Sequence, residues 1–317
     1  MKIVFLDEST ITLNGDMNFS NVEALGSLQT YDLTTPEQMP ERVGDAEVVI
    51  ANKALLQRDT LEKLSNLQHI AVIATGYNNV DTKAARELGI SVSNVSGYGR
   101  YTVPQHTFAL ILNLAGKVME YSRDVQNGDW EAQESFTLMR YHTFELQGKT
   151  IGIVGFGAIG RGAAAIAEGF GMRVLVHDAF DFEHPTYENT PLEKLVEESD
   201  ILTVHCPLTE QTRDLIGKRE LKKMKRSALV INTARGGIVN EEALLEALET
   251  GEIAGAGLDT LTQEPPREHP LLYRKDLNLI VTPHCAWSAK EARQRLIDEV
   301  AENIKAFQAG RKRNIVN

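Results

Sequence analysis

The feature that most restricts this chain is its alternation between short, β-branched apolar runs and longer stretches with helical spacing. The first runs are Lys2–Leu6, Glu47–Ala51, His69–Ala74 and Ile90–Asn94, with helical stretches such as Thr60–Leu67 and Val80–Leu88 between them. A later series follows at Thr150–Val154, Arg173–His177, Ile201–His205, Ala228–Asn232, Ala254–Leu258 and Leu277–Thr282. Strands alternating with helices imply βαβ units, and near-continuous apolar strands imply a parallel sheet covered on both faces. Ten such strands could form one sheet, but an interruption at Thr102–Gln147 argues for two.

That interruption opens with Thr102-Val-Pro104, a helix start with proline in the first turn. The following helix, Phe108–Met119, is apolar around most of its circumference, which suggests burial between two bodies. From Asn127-Gly-Asp-Trp130 to Gly148 no periodicity is visible, and the segment is long enough for an arm or lid. A last helical stretch, Ser288–Gln308, spaces Leu296, Ile297, Val300, Ile304 and Phe307 along one face.

Composition removes several functions from consideration. A net charge of −11 opposes binding to nucleic acid or anionic membranes. Cys206 and Cys285 cannot staple a chain of 317 residues, so a reducing compartment fits. The acid at position 7 breaks any leader, and no run approaches the roughly 18 apolar residues of a membrane span. The expectation is a soluble cytoplasmic protein.

The sharpest local signal is the strand Ile151-Gly-Ile-Val154 leading into Gly155-Phe-Gly157-Ala-Ile-Gly160 and then a small-residue helix. Gly155 permits a tight turn, Gly157 lets backbone approach a pyrophosphate, and Gly160 allows close helix–strand contact. Backbone N–H groups around Ala158 and Ile159, at the helix start, suit the anion. Asp178 ends the next strand, placed to accept from a ribose diol. A carboxylate there favours NAD and repels the 2′-phosphate of NADP, and Ala179-Phe180-Asp181 supplies no arginine to offset it.

Reactive groups belong at the carboxyl ends of later strands, and three stand there. Arg235 follows the run ending at Asn232, Glu264 follows the run ending at Leu258, and His284 follows Thr282-Pro283. Hydride addition to a ketone leaves charge on oxygen that a positioned acid must neutralise, a task suited to histidine. Glu264 beside His284 would orient the ring and stabilise its imidazolium, while Arg235 can fork onto a substrate carboxylate. Singly, each is more often an ion-pair or structural residue; their joint occurrence past one glycine loop carries the argument. The other histidines show no metal-ligand spacing and there is no CxxC, so no metal is expected. The basic clusters at Lys222–Arg226 and Arg311-Lys312-Arg313 read as solvated surface.

Six ordered elements together resemble the D-isomer-specific 2-hydroxyacid dehydrogenase family. They are Ala74-Thr-Gly76-Tyr-Asn-Asn-Val-Asp81, Val154-Gly-Phe-Gly-Ala-Ile-Gly-Arg161, His205-Cys-Pro-Leu-Thr209, Asn232-Thr-Ala-Arg-Gly-Gly237, Leu258-Asp259 with Glu264, and Thr282-Pro-His284-Cys-Ala-Trp287. The resemblance implies two Rossmann-like or flavodoxin-like parallel-sheet domains with the cleft between them. A discontinuous substrate domain would span 1–99 and 287–317, a nucleotide domain 100–286, and a dimerisation arm about 120–148. It implies Arg235, Glu264 and His284 as the catalytic trio, with His284 the proton donor in reduction. It also implies Asp259 on the nicotinamide carboxamide and Thr102 beside the nicotinamide. Thr233, Ala234, Cys206 and Pro207 would contact the cofactor, and the amides of Thr75 and Gly76 would receive the substrate carboxylate. Trp287 and the Asn127–Trp130 run resemble the glycerate dehydrogenase (hydroxypyruvate reductase) branch, whose partners are small 2-oxo and 2-hydroxy acids. D-lactate or phosphoglycerate dehydrogenases of the same family are the alternatives. So is a non-catalytic NAD(H)-sensing protein like the C-terminal binding protein corepressors.

Replacing Asp178 with Ser should weaken NADH binding far more than NADPH binding, measured by fluorescence titration. An unchanged ratio of the two affinities would reject the ribose role.

Overall fold

The computed structural model describes residues 1–317 and divides into two compact units, residues 1–99 with 287–317, and residues 100–286. Each unit is an all-parallel α/β sheet, as the strand pattern leads one to expect.

In the first unit the strands are β1 (Lys2–Phe5), β2 (Ser27–Thr30), β3 (Val48–Ala51), β4 (His69–Val72) and β5 (Ser91–Ser93), in the order β2-β1-β3-β4-β5. Successive side chains leave a strand on opposite faces, so β1 sends Ile3 and Phe5 one way and Val4 the other. The Ile3 face, with Val48, Ile50 and Ala71, is covered by the helix Lys290–Gln308 through Leu296, Ile297, Val300 and Ile304. Each of those four side chains contributes roughly 1.5–3 kcal/mol by leaving water. The opposite face packs against Leu56, Leu61, Leu64 and Ala84. Arg293 ties the same helix to the amino-terminal segment by a two-pronged contact with Asp16, at 2.8 and 2.7 Å. That guanidinium holds the Asp16 carboxyl well below the usual carboxylate range.

The sheet order reverses between β1 and β3, where open α/β sheets form a ligand crevice. Here the chain fills the place itself. The carboxylate of Asp7, 1% exposed, accepts from the backbone N–H of Asn52, Lys53 and Ala54 at 2.9, 2.5 and 2.8 Å.

The second unit holds β6 (Thr150–Val154), β7 (Arg173–His177), β8 (Ile201–Val204), β9 (Leu229–Asn232), β10 (Gly255–Leu258) and β11 (Leu279–Val281), in the order β11-β10-β9-β8-β6-β7. Its reversal lies between β6 and β8. The helices Thr102–Gly116 and Ala158–Gly169 cover one face through Phe108, Leu110, Ile111, Ala163 and Ala164. The other face packs Val204, Val230 and Leu258 against Leu195, Leu221 and Leu244.

Three local expectations change. The polar strand β2 carries no apolar run, because an edge strand with mostly exposed side chains needs only one neighbour. The helix expected over Thr60–Leu67 is a single turn at Arg58–Leu61, followed by turns. The helix starts at Thr102 as expected, but the apolar stretch expected to run to Met119 breaks at Lys117, whose φ of 55° is left-handed; Val118–Gln126 is a separate helix. The Lys117 ammonium bonds to Asn278 next to β11, which anchors the break. No helix is long and apolar enough to cross a membrane.

His69 lies fully buried in β4, its two ring nitrogens on the hydroxyls of Ser91 and Ser93 at 2.7 and 3.0 Å and its face stacked on Phe307. Burial pushes its pKa from 6.5 down to about 4. Between those values the unfolded ring binds a proton that the folded ring does not, so stability falls as the pH falls through that window. The urea midpoint should drop more steeply between pH 6.5 and 4 in the wild type than in His69→Gln; equal slopes would reject this account.

Candidate active site

At the β6/β8 reversal the chain leaves room for a ligand. Gly155 turns at φ 94°, and a Cβ there would stand 2.6 Å from the backbone nitrogen of Cys206, so only glycine lets the two strand ends meet. At Gly160 a Cβ would strike the carbonyl oxygen of Gly155 at 2.1 Å, which seats the helix Ala158–Gly169 against the turn. Gly157 is exposed with nothing within 4 Å of a would-be Cβ. It caps that helix without a side chain, so the first N–H groups, including those of Ala158 and Ile159, have no cap acceptor. Open backbone donors at a helix start fit a pyrophosphate. Asp178 directly follows β7, with Oδ2 accepting from Phe156 N–H at 2.6 Å and Oδ1 from Phe180 N–H at 3.0 Å. Its carboxylate is thereby fixed at the lip of the glycine turn, where a ribose diol would meet it. Cys206 and Pro207 form the opposite lip. Burial pushes the Cys206 thiol up to about 11, so it is a packing residue rather than a nucleophile at neutral pH. These residues fit a dinucleotide.

The reactive groups gather at the ends of β9, β10 and β11. His284 follows β11 in a left-handed conformation, φ 52°, rare for a residue other than glycine. Its Nδ1 meets Glu264 Oε2 at 2.6 Å, and Glu264 Oε1 is held in turn by Leu261 N–H at 3.0 Å. The two side chains are 26% and 35% exposed, open enough for a substrate to reach. Arg235 lies on the loop after β9, exposed, with Nη1 donating to the Ala234 carbonyl and with no acid within ion-pair distance. On a chain of net charge −11, an exposed guanidinium without a carboxylate beside it could receive an external anion.

Gly236 joins the Arg235 loop to the Glu264 segment. A Cβ at this position would lie 2.0 Å from the Leu261 carbonyl carbon, so the two backbones touch. Asn232, which the sequence reading left without a role, shapes the loop. Its side-chain amide donates to Arg235 O at 2.8 Å and accepts from Ala234 N–H at 3.0 Å. An asparagine at a strand end is the signal that points to such a turn. Thr233 is buried and pairs with Thr107 at 2.9 Å, and Thr102 donates to Ala286 O at 3.1 Å.

Asp259, expected on the nicotinamide carboxamide, takes its donors from the turn after β11. It is 1% exposed, with Oδ1 accepting from the Thr282 hydroxyl at 2.6 Å and Cys285 N–H at 2.9 Å, and Oδ2 from Ala286 N–H at 2.9 Å. The carboxylate therefore holds the turn that carries His284, and a carboxamide could reach only the remaining lone pair of Oδ2. Ligand atoms of His106, Asp259 and Cys285 lie within 4.8 Å of one another, a grouping no sequence spacing suggests. The Asp259 oxygen nearest His106 already accepts two donors, and burial raises the Cys285 pKa, which disfavours the metal-binding thiolate. Thr75 and Gly76 belong to the other unit, after β4, where Thr75 is exposed and its hydroxyl donates to Val95 O at 2.8 Å.

A glycine turn, a carboxylate at its lip, a His–Glu pair and an exposed arginine all lie at strand ends of one parallel sheet, an arrangement that suits a nicotinamide-dependent oxidoreductase. Residues 108–286 match the model of the NAD-binding domain of D-isomer-specific 2-hydroxyacid dehydrogenases, and the chain belongs to that family. It is 43% identical to a glycerate dehydrogenase of Methylorubrum extorquens, over 99% of this chain and 98% of that one. It is 39% identical to a hydroxypyruvate reductase of Blautia hydrogenotrophica over the full length of both. Among solved structures, the TT0316 protein from Thermus thermophilus superposes with a TM-score of 0.87 at 33% identity, covering all of both chains.

Proposed function

We propose that this protein catalyses NAD-dependent interconversion of a short 2-oxo acid and its D-2-hydroxy acid, with hydroxypyruvate or glyoxylate as the oxidised substrate. The observation that carries the reading is the 2.6 Å His284–Glu264 pair beside a loop whose arginine has no acid partner. When bound, the nicotinamide supplies the hydride. All other tasks fall to the chain. Arg235 binds the substrate carboxylate and polarises the neighbouring carbonyl through charge-assisted hydrogen bonds. With Nδ1 engaged by Glu264, His284 delivers its proton from Nε2 to the developing alkoxide, and Glu264 stabilises the imidazolium before transfer. Asp178 selects the unphosphorylated ribose. The names of the two relatives support a three-carbon acid.

In this reading residues 1–99 and 287–317 serve the substrate, with the amides of Thr75 and Gly76 toward its carboxylate, and residues 100–286 serve the cofactor. Residues 120–148 are the arm of a homodimer. Phe136 and Met139 are 88% and 91% exposed there, an amount of bare apolar surface that a second copy would cover. The same unit has an open hollow of about 780 Å³ lined by Tyr101, Pro104, Phe108, Leu112 and Ile166 to receive it. Two free cysteines accord with a cytoplasmic setting.

NADH oxidation followed at 340 nm with hydroxypyruvate, glyoxylate, pyruvate and longer 2-oxo acids should show the highest kcat/KM for the first two. His284→Ala should lower turnover by roughly 100-fold or more while leaving NADH affinity near wild type. Absence of turnover with every acid despite NADH binding would overturn the reading. Sedimentation velocity should give twice the chain mass, and Phe136→Asp with Met139→Asp should return it to one; a wild-type monomer would reject the arm.

A further inference from the structure

We propose that His106 is a positioning residue for the reaction, acting through Thr282 and Asp259 on the turn that carries His284. This rests on the catalytic reading above.

Hydrogen-bond polarity makes the case. A threonine hydroxyl has one proton, and the 2.6 Å contact gives it to Asp259 Oδ1. The Thr282 oxygen is then an acceptor for His106 Nε2 at 3.0 Å, so that ring nitrogen carries hydrogen. The hydrogen bonds run one way, from His106 to Thr282 to Asp259, while His106 Nε2 stands 3.5 Å from Asp259 Oδ1, beyond the 3.0 Å it keeps to Thr282. At its end the carboxylate also receives the N–H groups of Cys285 and Ala286, and the Asp259 carbonyl oxygen accepts His284 N–H at 2.8 Å.

The spacing explains why a helix makes this contact. Thr102 and His106 are four residues apart on the helix Thr102–Gly116 and so share one face. Their partners, Thr282 and Ala286, are also four apart and bracket His284. One rigid face thus pins both ends of the turn. Its helix is packed through Phe108, Leu110 and Ile111, and Thr107 ties it to Thr233, two residues before Arg235. A left-handed histidine persists only where its surroundings over-determine it, and these two pins supply that determination.

The test compares His106→Leu, His106→Gln, Thr282→Val and the His106→Leu/Thr282→Val double variant in the full chain. His106→Leu should lower kcat for hydroxypyruvate by about fivefold to tenfold, the worth of one hydrogen bond, with KM and melting temperature little changed. His106→Gln, which keeps an N–H donor, should recover most of the loss. The double variant should be no worse than Thr282→Val alone, because the two residues act in series. A second readout needs no turnover: the His284 Hε1 NMR resonance should shift in His106→Leu and return in His106→Gln. An inert wild type would overturn the catalytic reading and leave this resonance to decide the positioning. An unshifted resonance, a Gln variant no better than Leu, or multiplicative losses in the double variant would overturn His106.

Discussion

The turn that carries His284 hangs on one buried carboxylate. Asp259 sits at the end of β10, 1% exposed, in a place where an ionised acid without partners would cost several kcal/mol. Its donors come from Thr282, Cys285 and Ala286, which all belong to one turn. Satisfying the charge therefore folds the turn, and folding it presses His284 into a left-handed backbone with its ring on Glu264. The His284–Glu264 pair is in this sense a consequence of solvating an acid that water cannot reach.

The two sheets show one physical problem with two answers. Both reverse strand order beside their first strand, and both leave backbone N–H groups at the reversal seeking an anion. In the first unit Asp7 is that anion, built into the chain. In the second, Gly155 closes the turn and Gly157 stays bare, so the donors face outward and an external anion can take the place. The difference between a filled reversal and an open one comes down to a carboxylate at one strand end and glycines at the other.

Much of this was legible before any coordinates. Strands buried on both faces must be apolar throughout, so they announced themselves, as did the glycine turn, whose spacing follows from steric need. β2 did not, because an edge strand tolerates Ser27, Gln29 and Thr30. Nor did the break at Lys117, which depends on a partner at Asn278 far along the chain. Asn232 and His106 looked ordinary for the same reason: their roles are defined by what faces them.

Local order in the chain determined most of the strands, the helix start that can hold a pyrophosphate, the carboxylate of Asp178 beside it, and the candidate trio at three strand ends. These follow from side-chain size, charge and backbone preference within a few residues. Only the tertiary structure decided that Gly236 would bring the Arg235 loop against the Glu264 segment, that Asp259 would turn inward, and that one helix face would hold both ends of the His284 turn. Each of those is a contact between strand ends or faces set by strand order. Strand order is a property of the packed sheet, not of any stretch of sequence.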